Sequence, residues 1–548
     1  MKKIILLLIS LIYANIIFAQ NNLSETKKLA TTVKVWGFLK YYHPSVAVGK
    51  YNWDEELLKI LSRVENCGNT EQLSQVYLDW INSLGTIKKC TKCDKKDNIK
   101  YFYKNFDLSW TENSKYFNEE LSSKLKYIEE NRSQRKNYYV RESAGGNIEV
   151  KNEPEYLDKD YPDRNHRLLS LSKYWNTIEY FFPYKYLTDQ NWDSVLLEMI
   201  PKFLDAQNKM EYHWAMLETV IKLDDSHAGF NTKILVEEYH GNKYLPIDIG
   251  IVEGKVVITG FRDVSFSKKN DLRIGDIIET IDSENALERI YRIIKYVNGS
   301  NTTVKVRNSK YAFFNGFNDK VSIYIKRGDE LIGKELIRFN YTKDSSKIDN
   351  IEDETYTILD NNIGYINMGI LKENDIKEMM KSLILTNGLI IDLRNYPRIK
   401  PYALGAYFIK TKKEFAKFIQ PDLSYPGMFI WKRKKIIEPN GKKYYNGKVI
   451  LLVNEKSQSQ SEHTAMLLQT ADDVLTIGSQ TAGANGNISK FEFLGYWAFA
   501  SGLGVYYPDG SQMQRTGVKI DVEVITTIKG LQEGKDEVLE KAIELINN

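Results

Sequence analysis

The sequence has few cysteines, and those it has lie in the first quarter of the chain. Cys90 and Cys93 are closely spaced, but no second pair of Cys or His residues accompanies them to complete a zinc site. We therefore expect a local disulfide between these two residues, with Cys67 left over. None of the three bears on the chemistry that the rest of the sequence predicts.

The sequence also lacks a strong excess of either charge and any membrane-length apolar run after its N-terminus. It has 76 basic and 72 acidic residues, both dispersed, which gives no indication of nucleic acid or an anionic membrane as a partner. Residues 1–19 contain two lysines, an apolar run and Ala19 before a predicted cut, which is typical of a secretory signal peptide. No cysteine follows that run to carry a lipid anchor. We expect an exported, soluble protein, either periplasmic or extracellular.

A chain of 548 residues is too long for one core, and it contains an internal repeat. WGFLKYYHP at Trp36 matches WNTIEYFFP at Trp175, and NWDEELL at Asn52 matches NWDSVLL at Asn191, always 139 positions apart. Each copy predicts two helices joined by a Pro-containing loop, the second starting near Asn-Trp-Asp. Only the second copy continues into the polar sequence DDSH, so we expect the first to be structural and the second to carry chemistry.

The stretch 449–469 predicts a buried strand, a polar turn and a helix. Such a turn leaves its side chains at the end of a sheet, next to the free N–H groups of the helix start. A serine there has the surroundings that an acyl-transfer nucleophile needs. Three serines compete for that role, Ser457, Ser459 and Ser461, and helix capping is the alternative role for each.

Two further regions differ in character. Leu245 to Tyr341 alternates like short β-strands and resembles a PDZ domain, with Gly275-Asp276 at that fold's usual Gly-Asp. The alternative is a structural β module whose peptide groove is blocked. A charged linker, 342–354, follows, and from Ile363 onward strands alternate with helices, which indicates α/β layering.

Several of these segments together resemble the serine peptidases of the C-terminal processing (tail-specific) and tricorn-core family. The matching pieces are GYINM, LIIDLRNYP, ILLVNEKSQSQSE, IGSQTAG, YYPDG and GVKIDVEV, in the family's order and preceded by DDSHAGF. The resemblance covers about 168–548. It implies an α/β, crotonase-like (ClpP/crotonase-type) catalytic core with helical N-terminal subdomains and an inserted PDZ-like domain. The predicted divisions are a signal peptide at 1–19, a degenerate helical copy at 20–160, a helical subdomain at 161–243, the PDZ-like domain at 244–342 and the peptidase core at 343–548.

The resemblance also implies site residues. The family's Ser–Lys plan places its lysine at Ala484 here, and Lys490 would replace it only through unusual geometry. The tricorn-type plan instead gives Ser459 as the nucleophile, His227 as the general base and Ser226 as a residue that orients the site. Its acidic position falls on Gln514, which supplies no charge.

The oxyanion donors implied are the backbone N–H of Gln460 and that of Arg398, where the family usually has glycines. His463, one turn after Ser459, is an outside candidate for the base. Structural roles are expected for the other polar residues singled out: Glu462 as a favourable charge in the first helical turn, Asp392 and Arg394 in fixing the oxyanion loop, and His43 in packing.

These residues predict an exported serine peptidase that cleaves unfolded or C-terminally presented polypeptides through an acyl-enzyme, without a metal or organic cofactor. A different hypothesis is a peptidase-like protein that has lost turnover and binds peptides, for which Gln514, Ala484 and the missing glycines after Pro397 are the support. A third is binding of a hydrophobic small molecule, which the 36 tyrosines only hint at.

Overall fold

The computed structural model describes residues 23–93, 99–156, 160–340, 354–441 and 444–548. The predicted signal peptide and most of the charged linker lie outside these residues. The described chain forms two compact units. The first comprises the residues up to Lys222 with 419–431 and 489–502, and the second comprises 223–418, 432–488 and 503–548. This division joins both helical copies in one unit and assigns Ser226 and His227 to the other, and the domain boundaries given above stay predictions.

In the first unit, the helices predicted for the repeat are present, with a third helix in each copy. The helices Glu25–Tyr42, Trp53–Glu65 and Thr70–Ser83 have counterparts that begin 139 positions later, Arg164–Phe181, Trp192–Leu204 and Lys209–Ile221. The side chains of Asn52 and Asn191 each accept a hydrogen bond from a first-turn N–H, so the second helix starts at Asn-Trp-Asp as predicted.

A pair of tryptophans locks the first two helices of each copy together. Trp36 and Trp53 each donate an indole N–H to the other's backbone carbonyl, at 2.8 and 3.0 Å. Trp175 and Trp192 repeat this exchange at 2.9 and 3.1 Å. Each indole thereby satisfies its one donor while its rings fill the core, which explains why Trp stands at both positions of both copies.

The remaining elements of the first unit are short. Cys90 and Cys93 form the predicted disulfide, and Cys67 is free and buried. A short hairpin pairs Val140–Glu142 with Ile148–Val150. The other elements lying wholly in this unit are helix Glu119–Glu130, the 3-10 turns Ser109–Glu112 and Lys185–Leu187, and strands Tyr101–Phe102 and Trp497–Ser501; strands Lys413–Pro421, Phe429–Ile437 and Ile488–Glu492 contribute residues to both units.

The second unit is built on a six-stranded sheet. Its order is Tyr356–Leu359, Ile363–Asn367, Gly388–Asp392, Lys448–Val453, Val474–Gly478 and Val522–Glu523, the first pair antiparallel and the others parallel. In the predicted strand at 449–453, Val449, Leu451 and Val453 join one apolar cluster while Ile450 and Leu452 join another. Both faces of the sheet are therefore covered, as expected for parallel strands that read as an unbroken apolar run.

A β-rich module precedes this sheet in the same unit. Its main strands run in the order Glu330–Ile337, Lys320–Arg327, Ile277–Ile281, Lys255–Phe261 and Ile247–Val252, with Glu284–Asn285 beside the third. Three helices accompany them, Val264–Asn270, Ala286–Ile293 and Thr302–Phe314. The PDZ assignment of this module stays a prediction.

The other elements of the second unit complete these layers. The helix Tyr402–Gly405 is only one turn long, and the helix Ile376–Leu383 follows directly on the 3-10 turn Glu373–Asp375. Among the described residues, no helix is both long and apolar enough to cross a membrane. The remaining helical elements are Lys233–Leu235, Val236–His240, Ile294–Tyr296, Asp360–Asn362, Glu373–Asp375, Ile376–Leu383, Tyr402–Gly405, Gln460–Leu468, Ile528–Glu533 and Glu537–Asn547; the remaining strands are Lys243–Tyr244, Phe339–Asn340 and Gly504–Tyr506.

Candidate active site

Three loops meet at the carboxyl ends of adjacent parallel strands in the second unit. They follow Gly388–Asp392, Lys448–Val453 and Val474–Gly478. Since parallel strands end at the same edge of a sheet, their loops form a crevice there, which is where open α/β sheets bind ligands. The predicted serine turn is the middle loop of the three.

Ser459 stands at the sharpest point of that turn. Its backbone has φ +56° and ψ −106°, a conformation that L-residues rarely adopt, and helix Gln460–Leu468 begins directly after it. Its N–H donates to the Ala484 carbonyl at 2.9 Å, which holds the strained turn in place. A serine on a strained strand-to-helix turn is the arrangement of a nucleophile elbow.

Ser459 also forms a capping box with Glu462 at the start of this helix. The hydroxyls of the two neighbouring serines donate to backbone carbonyls of another loop. Ser457 is fully buried, and its hydroxyl donates to the Leu393 carbonyl at 2.7 Å. Ser461 is also fully buried and donates to the Asn395 carbonyl. Both hydroxyl protons thus tie the turn to the loop after Gly388–Asp392, whereas Ser459 is only half-buried.

Glu462 does more than place a charge at the helix start, which was the role expected from the sequence. Its buried carboxylate accepts hydrogen bonds from the Ser459 N–H at 3.1 Å, the Gly483 N–H at 2.7 Å, the Ala484 N–H at 3.1 Å and the Thr481 hydroxyl at 2.6 Å. Burial raises the pKa of Glu462 to about 7, and these hydrogen bonds oppose the rise. The carboxylate therefore joins the serine turn to the loop after Val474–Gly478.

The loop containing residues 481–484 is itself tightly constrained. Gly483 has φ +63°, and a Cβ there would lie 2.7 Å from the carbonyl carbon of Arg515. The close approach explains the glycine of the sequence TAG. The Gly483 carbonyl in turn accepts the Arg515 N–H at 2.8 Å.

Ser226 and His227 belong to the same cluster of loops. The Ser226 hydroxyl donates to the Ala482 carbonyl at 2.8 Å, and the Gln458 side-chain amide donates to the Ser226 carbonyl at 3.1 Å. The residues immediately before the candidate base and before the candidate nucleophile are therefore hydrogen-bonded to each other. The Ser226 hydroxyl thus contacts a backbone carbonyl, and its role in orienting the site stays a prediction.

A carboxylate that the sequence analysis did not assign lies beside His227. Asp225 is buried, and its Oδ1 accepts the His227 backbone N–H at 3.1 Å and the Gln514 side-chain amide at 3.0 Å. Burial lowers the pKa of His227 below its usual value, and the negative charge of Asp225 opposes that decrease. The sequence DDSH could have indicated this residue, because it places a carboxylate two positions before the candidate base. A buried carboxylate needs hydrogen-bond partners, and Asp225 has them.

The side-chain amide of Gln514 is therefore hydrogen-bonded to the carboxylate of Asp225. Its side chain is buried, and its Oε1 has no hydrogen-bond partner among the described residues. Gln514, which stands where the family has an acidic residue, is neutral, but it donates a hydrogen bond to the neighbouring carboxylate of Asp225.

The two predicted oxyanion donors differ in this structure. Gln460 supplies the first N–H of its helix, a group with no acceptor one turn earlier. The N–H of Arg398 donates to the Met368 carbonyl at 3.2 Å, so in this conformation it is not directed to an oxyanion. The role of the Arg398 N–H as the second oxyanion donor stays a prediction that needs this bond to Met368 to open.

The alternative bases have other surroundings. Ala484 is fully buried against the Ser459 N–H and offers no base. The Nζ of Lys490, in the first unit, lies 5.8 Å from the Phe499 ring centroid. The His463 ring packs 5.1 Å from that of Phe415, and burial lowers the pKa of His463 to about 4.

The roles expected for the remaining polar residues agree with their contacts. Arg394 pairs with Asp392 and with Asp536, each at 2.7 Å, and so fixes the loop that accepts the hydroxyls of Ser457 and Ser461. His43 is buried in the first unit, and burial lowers its pKa to about 4. Among the described residues, no group of three or more His, Cys, Asp or Glu side chains is placed to hold a metal ion.

Comparisons with known proteins show what this chain is similar to. Residues 362–524, which contain the three loops, match the sequence profile of peptidase family S41. No curated protein matches the sequence significantly.

Solved structures share the fold at low sequence identity. A crystal structure of a point mutant of CPAF aligns with a TM-score of 0.57 and 13% identity over 70% of this chain and 98% of that chain. Mature CPAF complexed with lactacystin gives 0.55 and 13% over 70% and 99%. The photosystem II D1 C-terminal processing protease gives 0.38 and 16% over 68% and 98%, a score too low to support an argument.

Proposed function

We propose that this chain, a serine peptidase of family S41, hydrolyses peptide bonds through an acyl-enzyme on Ser459. The observation that carries the proposal is the strained Ser459 turn, hydrogen-bonded through Gln458 to the segment that contains His227. The turn supplies a partly exposed serine beside a helix N-terminus, and the segment supplies an imidazole.

In the proposed reaction, the Ser459 Oγ attacks the carbonyl carbon of the scissile bond while its proton passes to the His227 imidazole. The tetrahedral intermediate then breaks its C–N bond, and the leaving amine takes that proton. A water molecule attacks the ester, again giving a proton to His227, and the acid product leaves as that proton returns to the Ser459 oxygen. Because the pKa of His227 lies below its usual value, the ring is neutral near pH 7 and can accept a proton.

Asp225 supplies the charge that Gln514 lacks. Its buried carboxylate stabilises the imidazolium that forms on His227, and the hydrogen bond from Gln514 holds that carboxylate in position. Asp225 is therefore a positioning residue in the proposed mechanism, and the N–H of Gln460 is the oxyanion donor.

We further propose that the enzyme is exported to the periplasm or beyond the cell and cleaves unfolded polypeptides or those presenting free C-termini. The N-terminal sequence and the Cys90–Cys93 disulfide support an oxidising compartment. The β-rich module at 243–340 supports recognition of C-termini if it is PDZ-like, because such a groove holds a terminal carboxylate on backbone N–H groups. The parallel sheet supports a crotonase-like core.

Active-site labelling tests the nucleophile. A fluorophosphonate probe should label the mature protein, and Ser459→Ala should abolish labelling. Ser457→Ala and Ser461→Ala are matched controls, since each removes a hydroxyl from the same turn, and both should keep labelling. Labelling that persists in Ser459→Ala would contradict the assignment.

A charge exchange tests Asp225. Asp225→Asn should lower kcat by roughly 100-fold or more and move the acid limb of the pH–rate profile to lower pH, because the anion beside His227 is lost. Gln514→Glu should also lower activity, since it puts a second carboxylate against Asp225. If Gln514→Glu raises kcat instead, Gln514 occupies the acidic position and Asp225 does not replace it.

One observation favours the second candidate function, a peptide-binding protein without turnover. The Arg398 N–H is bonded to Met368, so a second oxyanion donor is not ready in this conformation. A wild-type protein that resists the probe but binds peptides with free C-termini, and loses them when the C-terminus is amidated, would establish this function.

A further inference from the structure

The first unit contains a polar cavity that the proposed peptidase chemistry does not use. Its volume is about 480 Å³, within the range of small-molecule sites. Its lining comes from the extended segment 150–156 and from Glu492, Gly495 and Trp497 of the hairpin formed by Ile488–Glu492 and Trp497–Ser501.

A buried cluster of charges reaches this cavity through two of its lining residues, Glu153 and Glu492. The Lys173 ammonium lies 2.9 Å from Glu153, 3.3 Å from Asp54 and 3.7 Å from Glu492, and Lys40 lies 2.8 Å from Glu153. All five side chains are buried. Three carboxylates therefore share two ammonium groups, which leaves an excess of one negative charge when all are ionised.

Glu492 carries that excess. Its side chain is 6% exposed, and its Oε1 accepts the Gly495 N–H at 3.4 Å. Its Oε2 is buried and has no hydrogen-bond partner among the described residues. Burial raises the pKa of Glu492 to about 7, as expected for a carboxylate that lacks a full share of positive charge. A buried acceptor at the wall of a cavity is suited to a donor that enters the cavity.

Aromatic side chains lie at the same cavity. Trp497 lines it and is 43% exposed, so part of its ring is free to meet a ligand. Tyr156 also lines it, and its hydroxyl donates to Asp54 at 2.7 Å. Trp497 and Glu492 line the same cavity, and aromatic rings and carboxylates both attract organic cations.

We propose that this cavity binds a primary alkylammonium group, with Glu492 accepting its N–H donors and Trp497 contacting its charge or its stem. An ammonium brings the missing positive charge and donors together, which a neutral ligand does not. The same chemistry is present in a free diamine and in a lysine side chain of a polypeptide. This site goes beyond the proposed peptidase function and does not depend on it.

Calorimetric titration of the full mature chain, at about pH 8 where Glu492 is ionised, tests the proposal. Cadaverine and N-acetyl-lysine amide should bind saturably, and N-acetyl-norleucine amide, which has the stem without the charge, should not. Glu492→Gln should weaken binding by about ten-fold or more, as expected when a charged acceptor becomes neutral. Trp497→Ala, at a half-exposed position that the fold tolerates, should weaken it several-fold.

Glu149→Gln is the matched control, because Glu149 pairs with Arg141 on the surface and does not line the cavity. It should leave binding unchanged. A lysine-rich unfolded polypeptide that competes with cadaverine, and stops competing after lysine acetylation, would identify polypeptides as the source, whereas failure to compete would identify free amines. The proposal is overturned if neither amine binds at millimolar concentration, if Glu492→Gln binds as wild type does, or if Mg²⁺ displaces the amines as well as they displace each other.

Discussion

Two ion pairs at equivalent positions join the two helical copies, and their surroundings differ. Lys34 of the first copy pairs with Asp193 of the second at 2.8 Å, and 139 positions later Lys173 pairs with Asp54 at 3.3 Å. The side chains of the former pair are 13% and 51% exposed, and those of the latter only 2% and 3%.

The difference comes from the segments that cover each pair. Lys34 and Asp193 line a cavity of about 270 Å³ with no further carboxylate among its described lining residues. Lys173 and Asp54 are covered by segments that bring Glu153 and Glu492. The pair Lys34–Asp193 is therefore partly exposed to water, whereas its equivalent, Lys173–Asp54, belongs to a buried cluster with an excess of negative charge. The segments that carry Glu153 and Glu492 cause this difference, because they exclude water and add charge.

The largest expected effect that separates the two pairs is on stability. Lys173→Met leaves three buried carboxylates with only Lys40, and we expect it to lower the free energy of unfolding by about 3–5 kcal/mol. Lys34→Met is the matched control and should cost at most about 1 kcal/mol, because water screens the exposed partner. Urea unfolding followed by tryptophan fluorescence measures both, and equal losses would refute the contrast.

A smaller effect is expected in the pH dependence. The pKa of Glu492 is raised to about 7 in the folded protein from an ordinary value of 4.5, so the folded state binds this proton more tightly. Its contribution to stability is thus present below pH 4.5 and lost as the pH rises through about 7. In an amine-free buffer, the wild-type free energy of unfolding should therefore fall by an amount on the order of 1–3 kcal/mol over this pH range. Glu492→Gln should not show this decrease, because glutamine does not titrate. An unchanged slope of unfolding free energy against pH would count against it.

The smallest expected effect on stability comes from the tryptophan hydrogen bonds that both copies contain. Trp53→Phe and Trp192→Phe each remove one indole N–H from an equivalent exchange, and each should cost about 1 kcal/mol beyond the lost ring volume. The two costs should agree closely in thermal unfolding. Trp53 also stacks on Trp80 at 5.1 Å, so a much larger cost there would show that this stacking, and not the shared exchange, dominates.

The sequence predicted the parts of the molecule that depend on local pattern. Asn-Trp-Asp marks a helix start in both copies, and the run 449–453 is apolar because both faces of its strand are covered. Partners distant in sequence were not predictable. The meeting of Lys173 with Glu492 follows from packing of separate segments, as does that of Asp225 with Gln514, and the bond between Arg398 and Met368 depends on a loop conformation.

The Glu462 carboxylate has a consequence for inhibition. One side chain accepts hydrogen bonds from the amide of Ser459, the proposed nucleophile, and from the loop whose Ala482 carbonyl accepts the Ser226 hydroxyl. We therefore expect a displacement of that loop to displace Ser459 as well. We expect a compound that binds between Ser226 and Ala482 to misalign Ser459 without touching its hydroxyl. A non-covalent inhibitor of this kind would not need to contact the Ser459 Oγ.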